Sequence, residues 1–262
     1  MEAFPGKGRP SLRAGGTFMR KIIKNAVVTL LLLTLSASTA LLAYLHFFAS
    51  DDKDLSGEWT ATIDMTKQAA VTALGWLQEI EAVSISLEEM ETYMQDLTVQ
   101  VSLTLEQTDW PEGTFHCNVS PESYEACSQA AYEAFAEAFR ELLAKRLRMA
   151  GYTGSTDKEA IETLVTETFG MSTVSYLMSC GPTLLPSLEE LQAGYDGSGI
   201  YEAAEDILTR QFDTGGAVST KTEHYIRKDS DLILSEAAGS VPDGLFSDYY
   251  PLIYTLKQTP DR

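Results

Sequence analysis

Cys117 and His224 are the pair from which a nucleophile and its general base could be assembled, because a thiol needs an imidazole within hydrogen-bond reach to become a thiolate. The neighbours of Cys117 argue against that use. It alternates with Phe115 and Val119, which places it on the apolar face of a strand and turns it towards a core. The other outer histidine, His116, points the opposite way on the same strand. Carboxylates are abundant, so a hydrolase working through two acidic side chains is conceivable, yet no pair stands out by spacing. The chain carries no Gly-x-Ser-x-Gly elbow, phosphate loop, dinucleotide glycine fingerprint or His-Glu-x-x-His helix.

One fragment imitates a cation loop. Asp196-Gly197-Ser198-Gly199 resembles the middle of a calcium-binding hand, where glycine makes the sharp turn between oxygen ligands. The flanks lack the ligands: Gln192 and Gly194 stand where the first carboxylates belong, and Ala203 stands where a bidentate glutamate is needed. A glycine turn is the expectation, and neither a metal nor a cofactor is called for. Cys117, Cys127 and Cys180 form an odd set without metal-type spacing. They permit one disulfide, with Cys117 and Cys127 closest in sequence, or three small buried apolar residues. Asn118-Val119-Ser120 fits a glycosylation sequon, relevant only in a host with that machinery.

The elements that must position these residues begin with an apolar run from Ala26 to Ala49, in which Tyr44 and His46 are the only ionisable side chains. At ~1.5 Å per residue it spans a hydrocarbon core of about 30 Å as one helix. Arg20, Lys21 and Lys24 precede it; Asp51, Asp52 and Asp54 follow. That asymmetry predicts a single-pass anchor in the cell membrane, with a basic tail of residues 1–25 in the cytoplasm and residues 51–262 outside. Cleavage after Ser38-Thr39-Ala40 would leave Leu41 to Phe48 as an apolar tail, and cleavage after Ala49 would put Phe47 where a small residue is required. Lipoprotein processing is excluded, because the first cysteine is Cys117.

Charge divides the chain at the same place. Residues 1–50 hold six of the 19 Lys and Arg and one of the 38 Asp and Glu, leaving 13 cations against 37 anions outside. Such a surface repels nucleic acid, keeps a domain soluble and tolerates basic partners. The tail, with Lys7, Arg9 and Arg13, suits anionic lipid.

Within residues 51–262 the pattern is strands, a helical middle, then strands. Trp59, Ala61, Ile63 and Met65 alternate with polar neighbours over 57–66. Residues 67–94 are helical in period. Leu97, Val99, Val101, Leu103 and Leu105 mark the cleanest strand, 97–107, and a turn at Asp109-Trp110-Pro111-Glu112-Gly113 returns it through 113–119 as an antiparallel hairpin. Ser120-Pro121 opens a long helix to about Ala150, with Tyr124, Cys127, Ala131, Phe135, Ala138 and Leu142 on one face and acidic residues early, basic ones late. Thr156 with Glu159 predicts a capping box for a second helix ending near Gly170. A third segment stops at Gly181-Pro182, and Leu184 to Leu191 adds a short one. Residues 200–212 are compatible with helix or strand, and Ala203, Ala204, Ile207 and Leu208 incline them to helix. Strands are expected at 218–227, 231–236 and 250–257. The fold class is therefore α+β: a transmembrane helix, then an antiparallel sheet or partly closed barrel interrupted by a helical insertion over about 120–212.

Gly57-Glu58-Trp59 at the start of the first strand resembles the Gly-x-Trp opening of lipocalin-like (calycin-type) barrels, and Tyr254-Thr255-Leu256-Lys257 is similar to the closing strand of small bacterial members. The resemblance covers only the strands. It implies an antiparallel barrel whose mouth takes a small apolar ligand, with Trp59 packing the barrel floor as a structural residue. Three functions are consistent with these observations. The first is a non-enzymatic envelope domain that binds a small ligand or an envelope partner. The second is a structural or assembly component docking another envelope protein through its helical insertion, and the third is an acidic-residue hydrolase.

Overall fold

The computed structural model describes residues 32–39, 54–80, 85–213, 218–237 and 249–257. The chain divides into two units, residues 1–49 and 50–262. In the first, residues 32–39 form a helix (α1) whose Ser36, Ser38 and Thr39 hydroxyls donate to the carbonyls of Leu32, Thr34 and Leu35 at 2.8 Å, which satisfies them without an outside partner. No helix among the described residues is long and apolar enough to cross a membrane. The remainder of the expected anchor, 26–49, and the basic tail lie outside the described residues.

The second unit is an eight-stranded antiparallel barrel, closed in strand order from first to last. Its strands are β1 (Gly57–Asp64), β2 (Thr98–Asp109), β3 (Glu112–Val119), β4 (Gly197–Ala204), β5 (Ile207–Asp213), β6 (Val218–Lys228), β7 (Asp231–Glu236) and β8 (Leu252–Leu256). The α+β class, the antiparallel barrel and the β2–β3 hairpin agree with the sequence. Closure is complete rather than partial: Trp59 pairs with Leu256 and Thr60 with Thr255. Beside this seam Lys257 donates its amide to the Glu58 carbonyl and its ammonium to the Glu58 carboxylate, both at 2.8 Å. Gly57 explains the first residue of the Gly-x-Trp motif. Its φ of +147° disfavours a side chain, and a Cβ there would lie 2.3 Å from Leu256 Cδ1 at the seam.

Helices occupy the longer connections: α2 (Thr66–Ile80) and α3 (Leu87–Tyr93) join β1 to β2, while α4 (Pro121–Met149), α5 (Lys158–Phe169), α6 (Thr173–Cys180) and α7 (Leu188–Tyr195) join β3 to β4. Alternate connections of an up-and-down barrel leave from the same end, so all six helices gather over one mouth. The turns after β2, β4 and β6 are tight and crowd the other. Ser120 caps α4 as expected, accepting from the Ser123 amide, and Ser123 Oγ accepts from the Gln100 amide at 2.8 Å, which pins the 29-residue helix to β2. Trp76 meets Phe135 edge-on at 5.7 Å, and one continuous core runs from the barrel into the helices.

Three expectations are corrected. Residues 200–212 are strands β4 and β5, so the helical insertion ends at Tyr195. Tyr201, Ala203, Leu208 and Arg210 face inward at every second position, and the arginine hides the alternation from a hydropathy reading. The cap of α5 is Asp157, whose carboxylate accepts from the Ala160 amide at 2.8 Å; Thr156 instead accepts from Arg148. The first strand ends at Asp64 rather than 66, because the Asp64 carboxylate accepts from the Thr66 amide and starts α2 there.

Candidate functional site

The barrel lumen holds charge. Arg210 on β5 and Glu223 on β6 both point inward and are 2% and 1% exposed. Arg210 donates from Nε to Glu223 Oε2 and from Nη2 to Oε1, each at 2.9 Å, a two-pronged pair fixed by its two strands. Phe115 and Phe212 flank the guanidinium at 5.5 Å to each ring centre. Burial works against the charge of Arg210, and Glu223 beside it more than restores it, raising its pKa above the ordinary arginine range. Arg210 therefore keeps its charge inside the barrel.

Tyrosines and a thiol surround it. Tyr250, from the residues just before β8, donates its hydroxyl to Glu223 Oε1. Tyr195, the last residue of α7, shares a 2.7 Å hydrogen bond with Tyr254 on β8 and donates to the Ser102 carbonyl. Burial holds all three phenols well above their usual pKa, with Glu223 adding to the effect at Tyr250. Cys117 donates its thiol to the Tyr195 carbonyl at 2.9 Å and lies 4.0 Å from Arg210 Nη1. Burial pushes Cys117 up to about 11, partly offset by Arg210, so it is a protonated thiol and not a nucleophile. Tyr201, beside Arg210 in the β4–β5 register, is buried, and its hydroxyl has no hydrogen-bond partner among the described residues.

Nearer the end with the tight turns, Trp59 donates its indole N–H to the Leu55 carbonyl at 2.9 Å, and Arg227 stacks over the ring at 4.8 Å. Leu55 and Trp59 are both fully buried and plug that mouth.

The residues singled out by sequence are not brought together. Cys117 faces the lumen and Cys127 lies buried on α4; both are free thiols, and Cys180 is exposed. His224 lies on the outer face of β6 against Asp206 at 3.2 Å, so no Cys117–His224 pair exists. Asp196 spends its carboxylate on the Val119 amide at 2.7 Å, and Gly197 begins β4 instead of a cation loop. Among the described residues no group of three or more His, Cys, Asp or Glu could hold a metal. Asn118 accepts from the Ser102 hydroxyl at 2.6 Å within the β2–β3 pair, a poor place for a glycan. Arg210 and Glu223 belong to no motif, and the one signal in the sequence that marks them is a charge in the inward row of an alternating strand.

Outside the lumen, the helical layer carries an open groove of about 470 Å³ between Gln68 and Thr72 of α2 and Thr183 to Pro186 with Glu190. Tyr132 and Tyr124 on α4 donate to the carbonyls of Pro182 and Pro186, both at 2.9 Å, and hold that segment in place. Compared with known proteins, the chain matches no family model, no curated protein and no solved structure.

Proposed function

We propose that residues 51–262 form a non-enzymatic binding domain tethered outside the cell membrane by a helix of residues 26–49, and that it docks an envelope protein through its helical layer. The observation that carries the docking is where space lies. Trp59, Arg210, Tyr225 and Tyr254, among the largest fully buried side chains, fill the barrel, whereas the groove opens on the helices above it. The tether rests on the apolar run and its flanking charges. The excess of anions in residues 51–262 suits a partner with a basic contact surface.

A photoreactive residue at Thr72 in the full chain, in its own membrane, tests the reading. A discrete crosslinked envelope protein is expected, lost on Glu190→Arg and not obtained from a probe at Glu202 on the barrel wall. Equal yields from both positions, or none from Thr72, would sink it. The second reading, a small ligand in the lumen, is favoured by the buried Tyr201 hydroxyl, which has no hydrogen-bond partner among the described residues. A small molecule that leaves the purified protein only on denaturation would support it.

A further inference from the structure

We propose that Tyr250 is a self-ligand: its side chain occupies a binding site on the barrel rim whose external occupant is a neutral aromatic molecule bearing a hydrogen-bond donor, a phenol in chemical class. The proposal goes beyond the docking reading and does not depend on it. Three groups define the site. Glu223 Oε1, in a carboxylate that is 1% exposed, accepts from the Tyr250 hydroxyl. Lys221 Nζ lies 5.1 Å from the centre of the Tyr250 ring. Arg210 fixes the carboxylate through Nε to Oε2 and Nη2 to Oε1, the oxygen that Tyr250 also uses.

Each group selects a feature of the occupant. Glu223 Oε1 already accepts from Arg210 Nη2 at 2.9 Å, and a second, uncharged donor on that oxygen completes the hydrogen bonding of a buried carboxylate. The ammonium rewards an aromatic face. Glu223 already has Arg210 as its counter-charge, with Lys221 Nζ 3.9 Å from Oε1, so the carboxylate offers an occupant an acceptor and no unmet charge, which a neutral donor satisfies.

Tyr250 is also placed to leave. It belongs to no strand: the β7–β8 ladder begins at Leu252 paired with Leu234, and Tyr250 reaches the site from two residues before it. Its side chain is only partly buried, and beside it Tyr249 donates to Met65 Sδ at 3.4 Å. A site filled by a tethered side chain binds an external ligand with affinity reduced by the fraction of time the tether is out.

p-Cresol, the tyrosine side chain without its backbone, is the probe. It is titrated calorimetrically into the full chain in micelles, with empty micelles as the blank. Tyr250→Ala should bind it at least about tenfold more tightly than the unsubstituted protein, with Tyr250→Phe between them, because removing the competitor raises the competent fraction. Toluene, which lacks the donor, should bind Tyr250→Ala at least about tenfold more weakly than p-cresol. A folded Tyr250→Ala that binds p-cresol no better than the unsubstituted protein overturns the proposal, as does equal binding of p-cresol and toluene. If Tyr250→Ala does not fold, a Tyr250→Phe protein with unchanged p-cresol affinity overturns it.

Discussion

Arg227 on β6 lays its guanidinium over the indole of Trp59 on β1, 4.8 Å from the ring centre, across two strands that are not neighbours in the barrel. Both side chains are buried, so the stack is shielded from water and the attraction is worth more than at a surface, up to ~2 kcal/mol. The indole N–H is engaged separately by the Leu55 carbonyl. The pair thus ties the segment before β1, β1 itself and β6 into one plug.

Replacing Trp59 with Ala should cost about 3–5 kcal/mol, the range for emptying a large core aromatic site. Arg227→Lys keeps the charge but loses the planar stack, and should cost less. A double-mutant cycle by chemical denaturation should return a coupling of roughly 0.5–2 kcal/mol. Strict additivity would show that the two residues only share a space.

The thiols should separate by burial. Cys180 is exposed, whereas Cys117 and Cys127 are buried and pushed up to about 11, chiefly by loss of solvation. A disulfide reagent near neutral pH should therefore titrate one thiol in the native protein and three after unfolding without reductant. A single thiol after unfolding would mean that two of the three are bridged.

How far the sequence revealed this fold depends on where charges fall. Strands β1, β2 and β3 were legible because Trp59 to Ile63, Val99 to Leu105 and Phe115 to Val119 keep an unbroken apolar row. β4 and β5 were not: small Ala203 and Ala204 favour helix, and Arg210 sits in the inward row. Closure was equally hidden, since only Trp59–Leu256 and Thr60–Thr255 pair at the seam. The polar cluster was hidden for a different reason. Glu223 lies 13 residues from Arg210 and 27 from Tyr250, and only the completed barrel makes them neighbours.

The Arg210–Glu223 pair should be expensive to break and cheap to replace. Glu223→Ala leaves a guanidinium in an apolar shell without its counter-charge, and should cost about 3–5 kcal/mol. Removing both charges, as in Arg210→Met with Glu223→Leu, takes away the desolvation cost along with the attraction. The double variant should recover most of the loss seen in the single one. Denaturant midpoints decide it: a double variant as unstable as Glu223→Ala would mean that the pair stabilises the lumen beyond its own neutralisation.

Tyrosine burial sets the alkaline limit of the barrel. In the unfolded chain a phenol titrates near pH 10. In the folded chain burial raises Tyr201 to about 12 and raises Tyr195, Tyr250 and Tyr254 as well. Because the folded values are the higher ones, the unfolded state releases protons first. The stabilisation is intact below about pH 10 and falls as pH climbs from there through the folded values. Tyr195 and Tyr254, both enclosed in the lumen, should each steepen that fall by about 1.4 kcal/mol per pH unit. Phenolate absorbance from these residues should consequently appear in one cooperative step together with the loss of near-ultraviolet circular dichroism. Gradual ionisation of every tyrosine, with the dichroism unchanged, would contradict phenols enclosed by the folded barrel.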